Sequence, residues 1–589
     1  MKKRTFLISF IIFFLYFLTI PLLLAQEPEI PYAGEVPLTP NVRPMIIVSG
    51  SDYDMGYQWY QQIVQIYGKK PCEELSHQKF TEDELSALKA YQWYIRKYTP
   101  EMIELLKGIV DGAKDAGISL TYEQVLAKWS GTTKYPFPAG SENEKLPPEE
   151  DCSGWAAWGR MTKDGKLYCG GSGDHQIIMG DNEIRSFEYC VAMFPEKGNN
   201  FVFSTSTGCC WHVSMNNKGC AMFHHGTTGY YGRYLPPKEQ NYGYGVPNVM
   251  ITIHTLRFAQ SANDAQRIVL SLPSGDGRVG GAWADVNGTA FVIENRDNPR
   301  VIRKPGDYGE RDFIYSTNNL FSEELKDCYK PPPGQKVIFF PHVGYLGTEG
   351  SLGSIGRNFE LWNLFHNYPG EVDINFAKMI WRFPGSPPPY ATIDEAVEDY
   401  DRSQARLWNA HVSQTGNAMV GIMVPDDGDE GLYYVSQGCA VRGNDSPTYP
   451  GGVVIRIAPT YSFYQLKLDT NVRNVARAAR TRAQYDLYNA YQELSKLSYE
   501  DVPYAPLNAI LDQATTEWQK GEYYSRIAGR KQGNEDINCL AKSARSYFRA
   551  QALALQVYNS LVPPAKCPED LGLREWFGAW GDWATRGDN

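Results

Sequence analysis

The sequence predicts a layered α+β or α/β protein on three observations. Apolar residues recur every three to four positions over residues 53–130. At Cys152 the period changes to the alternation of strands, and many strand candidates follow with two helical interruptions. A long helical pattern then runs over residues 471–562. Strands in quantity with helices before, between and after them call for helices packed on sheets. A chain of 589 residues is also too long for one hydrophobic core.

The N-terminus, MKKRTFLISFIIFFLYFLTIPLLLAQEP, has a basic start at Lys2 to Arg4 and an apolar run from Phe6 to Leu24 ending at Ala25. This predicts a secretory signal over residues 1–25. The run is nearly long enough to span a bilayer, so an uncleaved anchor is the alternative. Either way the rest of the chain is expected to be exported, secreted or periplasmic. Residues 26–151 are then a helical segment behind an exposed lead-in. Asp52 and Asp54 suit a helix start, and Thr121 with Gln124 makes a capping-box pattern. KYPFPAGSENEKLPPEED is a polar, Pro-rich loop ending at Asp151. Residues 152–465 form the strand-rich core and 466–589 a helical C-terminal extension.

Within the core, CSGWAAWGRM and KLYCGGSGDH flank Asp164-Gly165, a hairpin signal. A two-residue turn there would pair Lys163 with Lys166 and set Asp174 opposite Trp155, on the face away from Cys152. A bulge at Gly170, Gly171 or Gly173 in the return strand would bring Cys152 and Asp174 to one face.

A net charge of −10, with no dense Lys/Arg block, argues against nucleic acid or an anionic membrane as partner. Export gives the 11 cysteines access to an oxidising compartment, where ten of them could form up to five disulfides and an odd one stays free. Cys152 is the candidate for that free thiol. Cys209, Cys210, His212, Cys220, His224 and His225 invite a zinc reading, but their spacing fits no usual structural site, and no metal or organic cofactor is expected.

Cys152 stands at the junction between the acidic tether and the first strand, where a residue could become a chain terminus. If the bond between Asp151 and Cys152 is cut, the new α-amino group titrates near 7.7 to 8.0 and can take the proton of the thiol beside it. Attack of the thiol on the Asp151 carbonyl, an N-to-S acyl shift and hydrolysis would make that cut.

CSGWAAWGRMTKDGKLYCGGSGDH resembles the N-terminal nucleophile segment of the autoproteolytic acyltransferases and hydrolases typified by isopenicillin N acyltransferase, relatives of penicillin V acylase and bile salt hydrolase. GSDYDMGYQWYQ and LLKGIVDGAKDAG resemble the helical α-chain of that family, so the likeness spans roughly residues 46–425. It implies a four-layer αββα fold. It implies Cys152 as nucleophile and Asp174 as the aspartate that holds the amino group. Asn216 in SMNNKG and Asn318 in STNN are implied beside the oxyanion, with Arg357 and Ser354 of GSIGRNF lining the site. The sequence departs from the family at Gly171 and Ser172, where Arg-Asn is usual, and at Asp151, where a small residue is common.

Each residue also has a plainer reading. Cys152 could be half of a disulfide at a domain edge. Asp174, Asn216 and Asn318 could be turn residues, and Arg357 a structural ion pair. The reading adopted is an exported amidohydrolase or acyltransferase, self-cleaved before Cys152, whose 26–151 chain stays bound to the rest. It would act on a small linear or cyclic amide through a thioester, with water or an acceptor amine resolving it. The rivals are a dipeptidase or phospholipase-B-like lipid hydrolase on the same scaffold, and a secreted binding protein without chemistry.

Overall fold

The computed structural model describes residues 43–130, 152–174, 188–206, 213–226, 245–273, 279–295, 301–328, 338–346, 351–382, 417–436 without 427 and 429, and 463–562 without 502. The expected signal segment, the loop ending at Asp151, and His175, the histidine next to Asp174 in sequence and so the one a Cys-His pair would use, lie outside these residues. The N-terminal part comprises β1 (Met45–Gly50) and helices α1 (Asp52–Tyr67), α2 (Lys69–Glu73), α3 (Glu82–Tyr98), α4 (Glu101–Asp115) and α5 (Tyr122–Ser130). Strands β2 (Ser153–Ala157), β3 (Tyr168–Asp174), β4 (Glu188–Pro195), β5 (Phe201–Ser206), β6 (Val213–Asn216) and β7 (Cys220–Gly226) follow. After α6 (Asn248–Phe258) and α7 (Ala262–Ser271) come β8 (Val279–Asp285), β9 (Ala290–Asn295), β10 (Val301–Arg303), β11 (Phe313–Ser316), β12 (Ile338–Phe340) and β13 (Gly344–Leu346). Helices α8 (Ser351–Asn367) and α9 (Ile374–Arg382) precede β14 (Asn417–Pro425), β15 (Gly431–Ser436) and β16 (Phe463–Leu468). The chain continues into α10 (Val472–Leu494), α11 (Tyr504–Ala528) and α12 (Gly533–Leu561).

The fold is mixed helix and sheet, with two large sheets. One has eight strands in the order β1-β4-β5-β6-β7-β8-β9-β10, the other six in the order β11-β2-β3-β14-β15-β16. Only β1 against β4 is parallel among the described strand pairs. Alternation along each strand divides the side chains between cores. Ile46, Val48, Val191, Met193, Phe203 and Trp283 of the first sheet pack with Trp59, Leu106, Leu126 and Ile251 of the helices. Ile47, Ala192, Val213 and Phe223 of that sheet share a core with Ala156, Cys169, Met423 and Tyr433 of the second. Trp155, Tyr315 and Ile422, on the other face of the second sheet, pack with Leu361, Phe365 and Ile380 of α8 and α9.

Local chemistry explains the N-terminal helices. Ser51 caps α1, accepting from the Asp54 amide at 3.1 Å, with Asp52 and Asp54 in the first turn as expected. The predicted box at α5 forms: Gln124 N donates to Thr121 Oγ1 at 3.2 Å and Thr121 N to Gln124 Oε1 at 2.8 Å. α1 and α4 cross backbone to backbone because the contact is glycine. A Cβ on Gly56 would lie 2.0 Å from Leu105 O, and one on Gly108 2.0 Å from Tyr53 O. The open edge of β1 is closed by glutamines of α1. Gln62 bonds both backbone groups of Ile47, at 3.1 and 2.7 Å, and Gln58 both of Ser49, each at 2.8 Å. An edge strand so covered cannot recruit another strand.

The hairpin register differs from expectation. Trp155 pairs with Gly170 and Ser153 with Ser172, so Asp174 lies beyond the start of β2 rather than opposite Trp155. The connection is longer than two residues because a contact distant in sequence captures it. Lys163 N donates to Val372 O at 3.0 Å, and Gly159, at φ +56°, turns the chain out of β2. Gly165 still makes a left-handed turn, at φ +75°. The pairing of β2 with β3 runs without a shift, and the irregularity falls instead in β14 between Asn417 and Met419.

The disulfide expectation is corrected in part. Cys72, Cys152, Cys169, Cys190, Cys220 and Cys539 are not in disulfides. Five of them are buried and Cys539 is half-buried, and Cys190 Sγ lies beside Ser204 Oγ at 3.3 Å. The side chains of Cys209, Cys210, Cys328, Cys439 and Cys567 lie outside the described residues.

Candidate active site

Cys152 is the residue before β2 and is fully buried. Ser316 of β11 pairs with Gly154 of β2, so two steps further along the same register Asn318 arrives opposite Cys152. The contact is direct: Cys152 N donates to Asn318 Oδ1 at 3.0 Å. Arg357 of α8, also fully buried, donates from Nη1 to the Cys152 carbonyl at 2.7 Å and to Ser153 Oγ at 2.8 Å. Its Nη2 donates to Asn318 Oδ1 at 2.9 Å. The planar guanidinium fork suits this, since it reaches three acceptors in fixed geometry.

Ser354 lies three residues before Arg357 on α8 and therefore on the same face. Asn318 N donates to Ser354 Oγ at 2.7 Å, Thr317 Oγ1 donates to Ser354 O at 3.0 Å, and the two hydroxyls share a bond of 2.6 Å. Both backbone groups of Cys152 are thus held by side chains that the segment just after β11 and helix α8 aim at it. Asn318 Oδ1 accepts from two donors, Cys152 N and Arg357 Nη2.

Of the residues that the resemblance groups, Cys152, Asn318, Ser354 and Arg357 lie together. Ser153 and Thr317, each the sequence neighbour of one of these residues, join them. Asp174 ends β3 with its backbone paired to Asn417; its side chain lies outside the described residues.

Asn216 is elsewhere. Val213 of β6 lies against Gly171 and Gly421, and Met215 against Gly431, so β6 runs away from the Cys152 end of the second sheet. There the Asn216 carboxamide is fully committed. Nδ2 donates to Leu256 O at 2.8 Å and Ala259 O at 3.0 Å, while Oδ1 accepts from Lys218 N at 3.0 Å and Cys220 N at 3.1 Å. It ties the β6–β7 turn to the end of α6 and has no donor to spare for an oxyanion.

The structure also gives a reason for Gly171. Gly154, Gly171 and Gly421 stand side by side across β2, β3 and β14. A Cβ on Gly154 would sit 2.0 Å from Phe223 Cδ2, and one on Gly171 2.9 Å from Phe223 Cβ. Phe223 of the other sheet occupies the space a longer residue at 171 would need. In the cysteine and histidine series, Cys220 opens β7 with burial raising its thiol above the ordinary range. Cys209, Cys210 and His212, with the side chains of His224 and His225, lie outside the described residues.

No family model matches the chain. An uncharacterized protein of Archaeoglobus fulgidus is 23% identical over 401 residues, 56% of this chain and 64% of the relative. The aligned region thus spans just under two thirds of that relative. Among solved structures, a variant of conjugated bile acid hydrolase from Clostridium perfringens aligns over 49% of this chain and 89% of its own, with 12% identity and a TM-score of 0.28. Penicillin V acylase from Agrobacterium tumefaciens aligns over 54% and 91%, with 13% identity and a TM-score of 0.26. Scores this low transfer neither fold nor function.

Proposed function

We propose that this chain is an N-terminal nucleophile amidohydrolase or acyltransferase of four-layer αββα architecture, exported and self-cleaved between Asp151 and Cys152. The observation that carries the reading is the hold on Cys152. Its amide N–H is bound by Asn318 and its carbonyl by Arg357, at 3.0 and 2.7 Å, so side chains hold both of its backbone groups. A terminus created at that point keeps its position.

In the maturation step the Cys152 thiol adds to the Asp151 carbonyl and the C–N bond breaks as nitrogen takes the proton. The thioester so formed is hydrolysed to free the Asp151 carboxylate and the Cys152 thiol. In turnover the α-amine receives the thiol proton and sulfur attacks a substrate amide carbonyl. The leaving amine takes the proton, and water or an acceptor amine resolves the thioester. Asn318 Nδ2 is the donor proposed for the oxyanion; removing such a donor typically costs about 10²–10³ in kcat. Asp174 is proposed to hold the amine on the resemblance alone, because the unshifted β2–β3 register lacks the bulge that would bring it to the face of Cys152.

The terminal amine separates this mechanism from a Cys-His pair. A chain starting at Cys152, bound to its N-terminal partner and assayed on simple amides, should lose turnover when one residue is added ahead of Cys152. His175→Gln should keep at least about a tenth of activity, whereas losing a general base typically costs about 10²–10⁴. Full activity of the extended chain with a dead His175→Gln would replace the amine with histidine.

A further inference from the structure

A buried ion cluster lies next to the group around Cys152, at the junction of the two sheets. Arg303 of β10 is 1% exposed, and Glu294 of β9 and Glu310 are each 2% exposed. Arg303 Nη1 donates to Glu310 Oε1, and Nε stands 3.2 Å from Glu294 Oε1 as an ion pair. Nη2 donates to the Tyr315 carbonyl, and the guanidinium carbon lies 4.4 Å from the Phe321 ring centre. Glu294 accepts from the backbone amides of Phe321, at 3.1 Å, and Ser322, at 2.9 Å. Glu310 Oε2 accepts from Gly306 N at 3.3 Å and Tyr308 N at 3.1 Å, and Tyr308 OH donates to Phe321 O at 2.7 Å.

Two of these bonds fall on backbone placed symmetrically about one residue. Tyr315 lies three positions before Asn318 and Phe321 three after it, and the cluster grips both. Stability alone does not call for such an arrangement: buried ion clusters can often be replaced by apolar groups without loss, because desolvation offsets the attraction. Apolar packing cannot supply directional bonds to two chosen peptide groups. We propose that Arg303, Glu294 and Glu310 are positioning residues that fix the 315–322 segment and thereby aim the Asn318 carboxamide at Cys152. The inference rests on the role given to Asn318 above. A displacement of the order of 1 Å at such a group can cost about a hundredfold in rate.

Arg303→Lys tests this, because it keeps the charge and loses the fork that reaches Tyr315 O. Self-cleavage of freshly made full-length chain is timed by intact mass, and amide hydrogen exchange is followed over residues 316–322. Positioning predicts cleavage at least about tenfold slower per folded molecule, with faster exchange at Asn318 and the thermal midpoint nearly kept. Native cleavage and exchange in Arg303→Lys, or slowing that only tracks the folded fraction, would overturn it. If Arg303→Lys does not fold, Glu294→Gln, which weakens the Phe321 and Ser322 end, is judged by the same two readings. Normal cleavage of Cys152→Ala would overturn the cysteine mechanism instead. The positioning claim is then decided by exchange at Asn318 in Arg303→Lys: faster exchange supports it, unchanged exchange overturns it.

Discussion

Asn318 and Asn216 carry the same side chain and were paired by the sequence reading, yet their surroundings give them different work. Asn318→Ala removes the acceptor for both Cys152 N and Arg357 and the proposed oxyanion donor. Turnover should fall by about 10²–10³ in kcat with a smaller change in KM. Asn216→Ala takes away the acceptor of the Lys218 and Cys220 amides and one of the two donors to Leu256 O and Ala259 O, the other being Asn199 Nδ2. It should lower stability by about 1–3 kcal/mol in denaturant titration while leaving kcat per folded molecule unchanged. A kcat loss in Asn216→Ala without a stability loss would reverse the two roles. The buried thiols give a pH dependence as well. Burial pushes Cys72 from an ordinary 9.0 up to about 12, and pushes Cys169 and Cys220 upward too. The unfolded thiols ionise first, so their contribution to stability is full below about pH 9 and is lost as pH rises from there toward about 12. Unfolding midpoints measured from pH 8 to 11 should fall accordingly, and a flat profile would mean these thiols are exposed or bonded.

At the scale of elements, the α1–α4 crossing depends on glycines that let two backbones touch. Gly108→Ala would set a methyl 2.0 Å from Tyr53 O and should destabilise by about 1–3 kcal/mol or more, read as a lowered thermal midpoint. The helices themselves, and the cap formed by Thr121 and Gln124, were legible because spacing and capping are local chemistry. The approach of α1 to α4 was not, since a glycine inside a helix does not announce its partner. The hairpin failed for a related reason. Asp164-Gly165 does turn, but Val372, more than two hundred residues on, holds the connection and sets the register. Cys152 was visible from the change of period around it. Asn318 and Arg357 came only from the resemblance, because opposition across β2 and β11 and the face of α8 are tertiary facts. Arg303, Glu294 and Glu310 offered no local signal at all.

In the whole molecule, the C-terminal helices are joined to the N-terminal part by a ladder of amides. Gln58 Nε2 donates to Asn534 Oδ1 at 2.8 Å, Gln62 Nε2 to Asn538 Oδ1 at 3.2 Å, and Arg545 Nη1 to Gln62 Oε1 at 2.7 Å. The same glutamines close the edge of β1, so α12, α1 and β1 form one connected network. Should the chain be cut before Cys152, this contact would become one between chains. Asn534→Ala with Asn538→Ala should then speed release of the N-terminal chain by about tenfold or more, measured by exchange against labelled fragment, although the apolar contact with the first sheet remains. Unchanged release would assign the ladder to packing alone. The central claim is the cut itself, and the most direct measurement is intact mass of the purified protein beside Cys152→Ala. Two fragments are predicted for the native protein, one ending at Asp151 and one beginning at Cys152, and a single full-length chain for the variant. An uncut native chain after long incubation, or the same fragments from both proteins, would contradict it.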